Sequence, residues 1–166
     1  MLIIISGLPG TGKTTFARAL AQQRDISHFN SDIIRTELGL RGQYDTTTKE
    51  KVYAQLEYRT SRTLQQGGDV VVDATFYKNQ LRAPYIKMAA DRSTPLKWIE
   101  LKADEATIKQ RVTAKREYSE ADFEVYRKIK KAYEPLSIPH LVLSSAQLSI
   151  EEMLEASEKY LQDETL

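Results

Sequence analysis

Leu2-Ile3-Ile4-Ile5-Ser6-Gly7-Leu8-Pro9-Gly10-Thr11-Gly12-Lys13-Thr14-Thr15 is the stretch from which the fold can be read. Its apolar start reads as a strand buried on both faces, and such strands belong to parallel sheets. From Lys13 through Ala21 the residues read as a helix. Between the two, Gly7 to Thr14 matches the spacing G-x-x-x-x-G-K-[ST], in the strand–loop–helix order that gives this pattern its meaning. Glycines at 7, 10 and 12 let the backbone curl so that successive N–H groups face inward. The helix that follows adds the positive end of its dipole, and such a cradle holds phosphate. Lys13 is a point charge for the β- and γ-phosphates, and the Thr14 hydroxyl is placed for Mg²⁺. The expected nucleoside-triphosphate contacts are Gly7, Pro9, Gly10, Thr11, Gly12, Lys13, Thr14 and Thr15.

Outward from this loop, strands and helices alternate. Ile26–Asn30 reads as a short strand, and Ser31-Asp32 as the cap of a helix with Ile34 and Leu38 on one face. Residues 39–45 read as a polar loop. Thr48–Gln66 reads as a helix with Val52, Leu56, Thr60 and Leu64 inward, stopped by Gly67-Gly68. Asp69–Thr75 is a β-branched strand, Asn79–Arg92 a helix, and Pro95–Lys102 a strand. Asp104 caps the next helix, Tyr118–Tyr133 reads as helical, and His140–Ser144 is the last strand. Ser149 to Glu152 forms a capping box for a final helix. Five strands alternating with helices imply a parallel sheet covered on both faces, an α/β fold.

The 166 residues fit a single domain over 1–166, with a formal charge of +1 and no cysteine. That excludes disulfides and a cysteine zinc site, and it does not suggest broad nucleic-acid binding. The apolar run at the start is far too short for a signal or membrane span, so a cytoplasmic protein without membrane partners is expected. The charge is uneven: Lys109 to Lys131 holds eight Lys/Arg against four acids, and Ala132 to Leu166 holds seven acids and one lysine.

Ligands of open parallel sheets sit at the carboxyl ends of the strands. There the second strand presents Asp32, with Arg35 one helical turn on, and the third presents Asp73 with Thr75 beyond it. Each has a plainer reading: Asp32 as an N-cap only, Arg35 as a surface arginine, Asp73 as a strand-end acid in a turn. An apolar run followed by an acid, here Val70-Val71-Val72-Asp73, is the usual pattern of the carboxylate that orients Mg²⁺ and its waters. Tyr53, Tyr58, Tyr77, Tyr85, Tyr118, Tyr126 and Tyr133 sit largely at helical positions where tyrosine is commonly part of the core. Tyr44, in the polar loop, is the better acceptor contact. His28 and His140 read as structural.

The phosphate loop, Asn30-Ser31-Asp32-Ile33-Ile34-Arg35, Val71-Val72-Asp73-Ala74-Thr75, and Arg111 with Lys115-Arg116 together resemble a family of P-loop kinases. That family includes the kinase domain of bacteriophage polynucleotide 5′-kinase and the zeta-toxin-like, AAA-type small kinases. The resemblance runs over nearly the whole chain. It implies a P-loop NTPase fold with an Arg/Lys-rich helical lid at about 111–131. It also implies ATP as phosphoryl donor with Mg²⁺, Asp32 as general base and Arg35 on an acceptor phosphate. Lid contacts to the transferred phosphoryl fall to Arg111 and Arg116, although the family spacing lands nearer Lys115. Adenine would lie between Arg111 and the loop Ser144-Ser145-Ala146-Gln147. The implied acceptor is the 5′-OH of DNA or RNA, contacted by Asp32, Arg35, Tyr44 and Thr75. The alternatives are a small-molecule alcohol (a sugar, nucleotide sugar or antibiotic) and a nucleotide-hydrolysing switch or toxin-like module.

Overall fold

A computed structural model describes residues 1–113 and 123–163. The expected helix spanning 118–133, the lid and the residues Lys115, Arg116 and Tyr118 therefore lie partly or wholly outside the described residues. β1 (Leu2–Ser6) is buried throughout. It leads through the phosphate loop into α1 (Lys13–Arg24). There follow β2 (Ser27–Asn30), α2 (Ser31–Glu37), α3 (Thr46–Gln65), β3 (Val70–Asp73) and α4 (Asn79–Asp91). β4 (Leu96–Lys102), α5 (Glu105–Thr113), α6 (Phe123–Lys131), β5 (Leu141–Ser144) and α7 (Ile150–Gln162) complete the order. The strands form one five-stranded sheet in the order β2-β3-β1-β4-β5, and every neighbouring pair is parallel.

Period-two alternation sends neighbouring side chains of one strand to opposite faces. Leu2, Ile4, Val70, Val72 and Trp98 face α2, α3 and α4, packing on Ile34, Val52, Leu56 and Tyr85. Ile3, Ile5, Val71, Ile99 and Leu143 face α1 and α7, packing on Phe16, Leu20, Met153 and Leu161. Ile108, Val112 and Tyr126 form a third, small cluster that joins α5 to α6. Each buried aliphatic side chain contributes about 1.5–3 kcal/mol, so the two sheet faces carry most of the stability.

Several boundaries differ from the sequence expectation for identifiable reasons. The cap of α2 is Asn30, one residue earlier than expected: its Oδ1 accepts from the amides of Asp32 and Ile33 at 2.9 and 2.8 Å. Leu38 is not on the buried face with Ile34; it is 41% exposed, because it caps the helix end. α3 begins earlier, at Thr46, because Asp45 accepts from the Thr48 amide at 3.0 Å. Tyr58 lies on the surface, whereas Tyr85 and Tyr126 are buried as expected. The capping box Ser149–Glu152 is formed, with both reciprocal hydrogen bonds present.

Candidate nucleotide and acceptor site

The sheet order sets β3 between β2 and β1, so the ends of these three strands lie side by side. Gly7 leaves β1 at φ 147°, where a Cβ would stand 2.3 Å from the Leu101 carbonyl oxygen. Only glycine passes there without displacing β4. Gly12 caps α1 at φ 88°, a left-handed turn that aims the first helical amides into the loop. The loop is tied internally: the Thr11 hydroxyl donates to the Leu8 carbonyl at 2.8 Å, and the Lys13 ammonium donates to the same carbonyl at 3.0 Å.

Asp73 ends β3 with no exposed surface. Its Oδ1 accepts from Asn30 Nδ2 at 2.6 Å and lies 3.3 Å from the Thr14 hydroxyl. Its Oδ2 meets His28 Nε2 at 2.5 Å. Asn30 Nδ2 also donates to the Thr14 hydroxyl at 3.0 Å. A buried carboxylate costs several kcal/mol unless its lone pairs are satisfied, and this network satisfies them. His28 is structural, as expected, and what it supports is the acid. Asn30 is the hub, linking the cap of α2 to Thr14 and Asp73 through one amide. Sequence reading assigned it no role, although Asn at the end of a strand before a helix is itself a cap signal.

These oxygens suit Mg²⁺. A hard cation of that kind keeps several waters and takes one or two protein oxygens plus phosphate, and does not need a protein cage. Thr14 and Asp73, oxygen donors at the edge of the phosphate loop, fit that coordination. No cluster of three or more His, Cys, Asp or Glu suited to a metal occurs among the described residues.

One cavity of about 750 Å³ runs along the carboxyl ends of the strands. On one side it is lined by Pro9, Gly10, Gly12, Lys13, Thr14 and Thr15, with Arg111, Ser145, Leu148 and Ile150. On the other it is lined by Asp32, Arg35, Tyr44, Lys49, Tyr53, Thr75 and Tyr77. Arg111 lies against the loop after β5: it donates to the Ser145 hydroxyl at 2.8 Å, the Ser145 carbonyl at 2.9 Å and the Gly10 carbonyl at 3.3 Å. The Ser145 hydroxyl in turn donates to the Thr11 carbonyl at 2.6 Å. Gly7 and Thr11 are buried behind the loop, in its frame and not on the cavity wall.

On the second side, Arg35 is 6% exposed. It donates to the Gln43 carbonyl at 2.5 Å, and its guanidinium carbon sits 4.5 Å from the centre of the Tyr44 ring. Its Nε is buried with no hydrogen-bond partner among the described residues. Tyr53 and Thr75 approach within 3.5 Å through their hydroxyls. Burial pushes the Tyr53 phenol up to about 12, so it stays neutral. Tyr53 packs on the core through Phe76, as expected, and also lines the cavity, whereas Tyr77 lines the cavity. Lys49, Tyr53 and Tyr77 are cavity residues that sequence reading missed. The available signal was the i,i+4 spacing of Lys49 and Tyr53, which puts both on one face of α3.

Residues 2–136 match the family model described as an AAA domain. L-seryl-tRNA(Sec) kinase of Methanococcus maripaludis is 30% identical over 106 residues, 62% of this chain and 41% of that protein. The chain thus matches about two-fifths of that relative's length. Among solved structures, a sugar kinase from Janibacter sp. HTCC2649 superposes with a TM-score of 0.74 at 18% identity, covering 96% of this chain and 93% of the other. The APS kinase of Mycobacterium tuberculosis, solved with AMPPNP and APS, superposes with a TM-score of 0.72 at 18% identity, covering 98% and 97%. These two likenesses establish a shared α/β fold.

Proposed function

The chain belongs to the AAA domain family, and from the geometry of its site we propose that it is an ATP-dependent kinase that phosphorylates an alcohol. One observation carries the reading: Asp32 lines the same cavity as Lys13 and Thr14, at the start of the helix that Asn30 caps. In this reaction the acceptor hydroxyl oxygen bonds to the γ-phosphorus and the bond from that phosphorus to the β-phosphate's bridging oxygen breaks. The hydroxyl proton passes to the Asp32 carboxylate, and ADP leaves with the bridging oxygen.

Phosphoryl transfer needs positioning and charge neutralisation more than covalent help. Lys13 and the inward amides of the loop hold the β- and γ-phosphates. Thr14, with Asp73 acting through water, would hold Mg²⁺, which would supply neutralisation of the phosphate charge. Asp32 aims the acceptor oxygen and takes its proton, an effect of about 10²–10⁴ in rate. Arg111, tied to Ser145 and Gly10, serves the nucleotide side beside the adenine. Closing charge on the transferred phosphoryl falls to Arg116 or Lys115, an arginine finger being worth about 10³–10⁵.

Arg35 supports an acceptor whose hydroxyl stands near a phosphate of its own. The 5′-OH end of DNA or RNA meets that requirement, with Tyr44 and Thr75 as further contacts. A small-molecule alcohol is the second reading, favoured by the net charge of +1. The names sugar kinase and APS kinase point the same way, whereas L-seryl-tRNA(Sec) kinase names an acceptor attached to RNA. The test is transfer of label from ATP labelled in the γ-phosphate to 5′-OH oligonucleotides, nucleosides and sugars, with Asp32→Asn alongside. We expect turnover to drop by about 10²-fold or more with ATP affinity nearly unchanged. Equal loss of ATP binding would make Asp32 a structural residue, and hydrolysis that survives unchanged with no acceptor labelled would indicate a switch.

A further inference from the structure

Lys49 occupies the first turns of α3, half-buried at the cavity wall. Its ammonium stands 3.5 Å from the Tyr77 hydroxyl and 5.7 Å from the centre of that ring. No carboxylate pairs with it among the described residues. Tyr77 is itself held, since its carbonyl accepts from the Glu134 amide at 2.8 Å. The nearby Glu134 carboxylate is engaged, accepting from the Asn79 amide at 2.6 Å. Arg35, which lines the same cavity, lies over the Tyr44 ring, has no carboxylate partner among the described residues, and keeps a buried Nε without a hydrogen bond.

Two cations, Arg35 over the Tyr44 ring and Lys49 against the Tyr77 hydroxyl, thus line one cavity that also holds Asp32. A ring face attracts a cation, but more weakly than an anion does once water is excluded. The two positive groups therefore generate a local positive potential at this end of the cavity, which favours a negatively charged ligand. Arg35 offers a planar fork that suits phosphate oxygens, and Lys49 offers a mobile point charge.

We propose that Lys49, held beside the Tyr77 hydroxyl on the wall it shares with Arg35, is a second reader of the acceptor's phosphate and sets the preference for phosphorylated over neutral alcohols. The inference rests on the kinase reading only for where the reacting hydroxyl lies. The phosphate is the shared chemistry of a nucleic-acid end and a phosphorylated small alcohol, and two arms separate these sources.

The full chain is saturated with Mg²⁺ and a non-hydrolysable ATP analogue, and binding is followed by calorimetry. One arm compares a nucleoside 3′-monophosphate with its parent nucleoside; the other compares glucose 6-phosphate with glucose. In at least one arm the phosphorylated member should bind about tenfold tighter or more. Lys49→Met should remove most of that preference, and Lys49→Arg should restore it. No preference in either arm, or one that Lys49→Met leaves intact, overturns the proposal. Should the preference depend on Lys49 while ATP labels neither bound probe, the proposal survives and the kinase reading is the part that fails. Should ATP label a phosphorylated probe with the same KM in Lys49→Met, the kinase reading survives and this proposal falls.

Discussion

Asn30 turns its Oδ1 to the amides of Asp32 and Ile33 and its Nδ2 to Thr14 and Asp73. The two amides accepted by Oδ1 settle which end of the side chain is which. Because the residue is 2% exposed, both halves of this arrangement are shielded from water. Asn30→Ala should lose the cap, about 1 kcal/mol, and leave Asp73 short of a donor, about 1–3 kcal/mol more. Chemical denaturation should therefore register a loss of about 2–4 kcal/mol. Asn30→Asp keeps the cap but sets a second carboxylate beside Asp73, so it should be no more stable than the alanine variant. A denaturation midpoint like that of the wild type in either variant would remove Asn30 from its central place. At Arg35 the expectation concerns binding. Arg35→Ala should raise the KM of a 5′-OH oligonucleotide by about tenfold or more, since a charge-assisted fork is lost. An unchanged KM would count against a polynucleotide acceptor. Asp32, Arg35 and Asp73 were legible as candidates from their places after strands. The partners Asn30, His28, Lys49 and Tyr77 were not, because hydrogen bonds and ring contacts between distant residues leave no local pattern.

α5 and α6 are joined by the cluster of Ile108, Val112 and Tyr126 and by an ion pair between Lys130 and Glu105 at 2.8 Å. A hydrogen bond from Lys130 holds the Glu105 carboxyl below its ordinary 4.5, and the same bond holds the Lys130 ammonium above its ordinary 10.5. A lowered acid contributes in full above its unfolded value and loses that contribution as pH falls through the folded one. A raised base contributes in full below its unfolded value and loses it as pH rises through the folded one. The pair therefore supports the contact of the two helices between about pH 4.5 and 10.5, and weakens outside that window. Both groups are exposed, so the effect is small and screened by salt. Glu105→Gln should speed amide exchange in α6 at pH 7 by less than about fivefold. It should also flatten the acid-side dependence seen in the wild type. Wild-type exchange that does not change below pH 4.5, once corrected for intrinsic chemistry, would exclude the pair as a clasp. The two helices were expected from sequence. Their contact was not, because Glu105 and Lys130 are brought together only by the packing of Tyr126 on Ile108 and Val112.

Across the whole molecule, one cavity spans the ends of β2, β3 and β1, so that a nucleotide touching Lys13 touches parts contributed by several elements. Binding to the folded state alone stabilises it by mass action, by about 2.7 kcal/mol at a concentration a hundredfold above Kd. For a domain of this size that corresponds to about 5–11 °C in Tm. Added MgATP should raise the melting temperature of the wild type by that order. Lys13→Ala should keep the unliganded melting temperature within a degree or two, lose most of the rise, and abolish transfer. A full rise in the variant would take Lys13 out of nucleotide binding. The sequence by itself determined the strand–loop–helix start, the alternation of strands and helices, and the residues that close the strands. These are local matters, set by apolar runs, by glycine's freedom and by caps within a few positions. Only the tertiary structure decided that β3 lies between β1 and β2, that Asn30 and not Asp32 caps α2, and that Lys49 and Tyr77 share a wall with Arg35. Strand order and the pairing of distant side chains depend on how whole faces pack, a property that no single stretch of the chain contains.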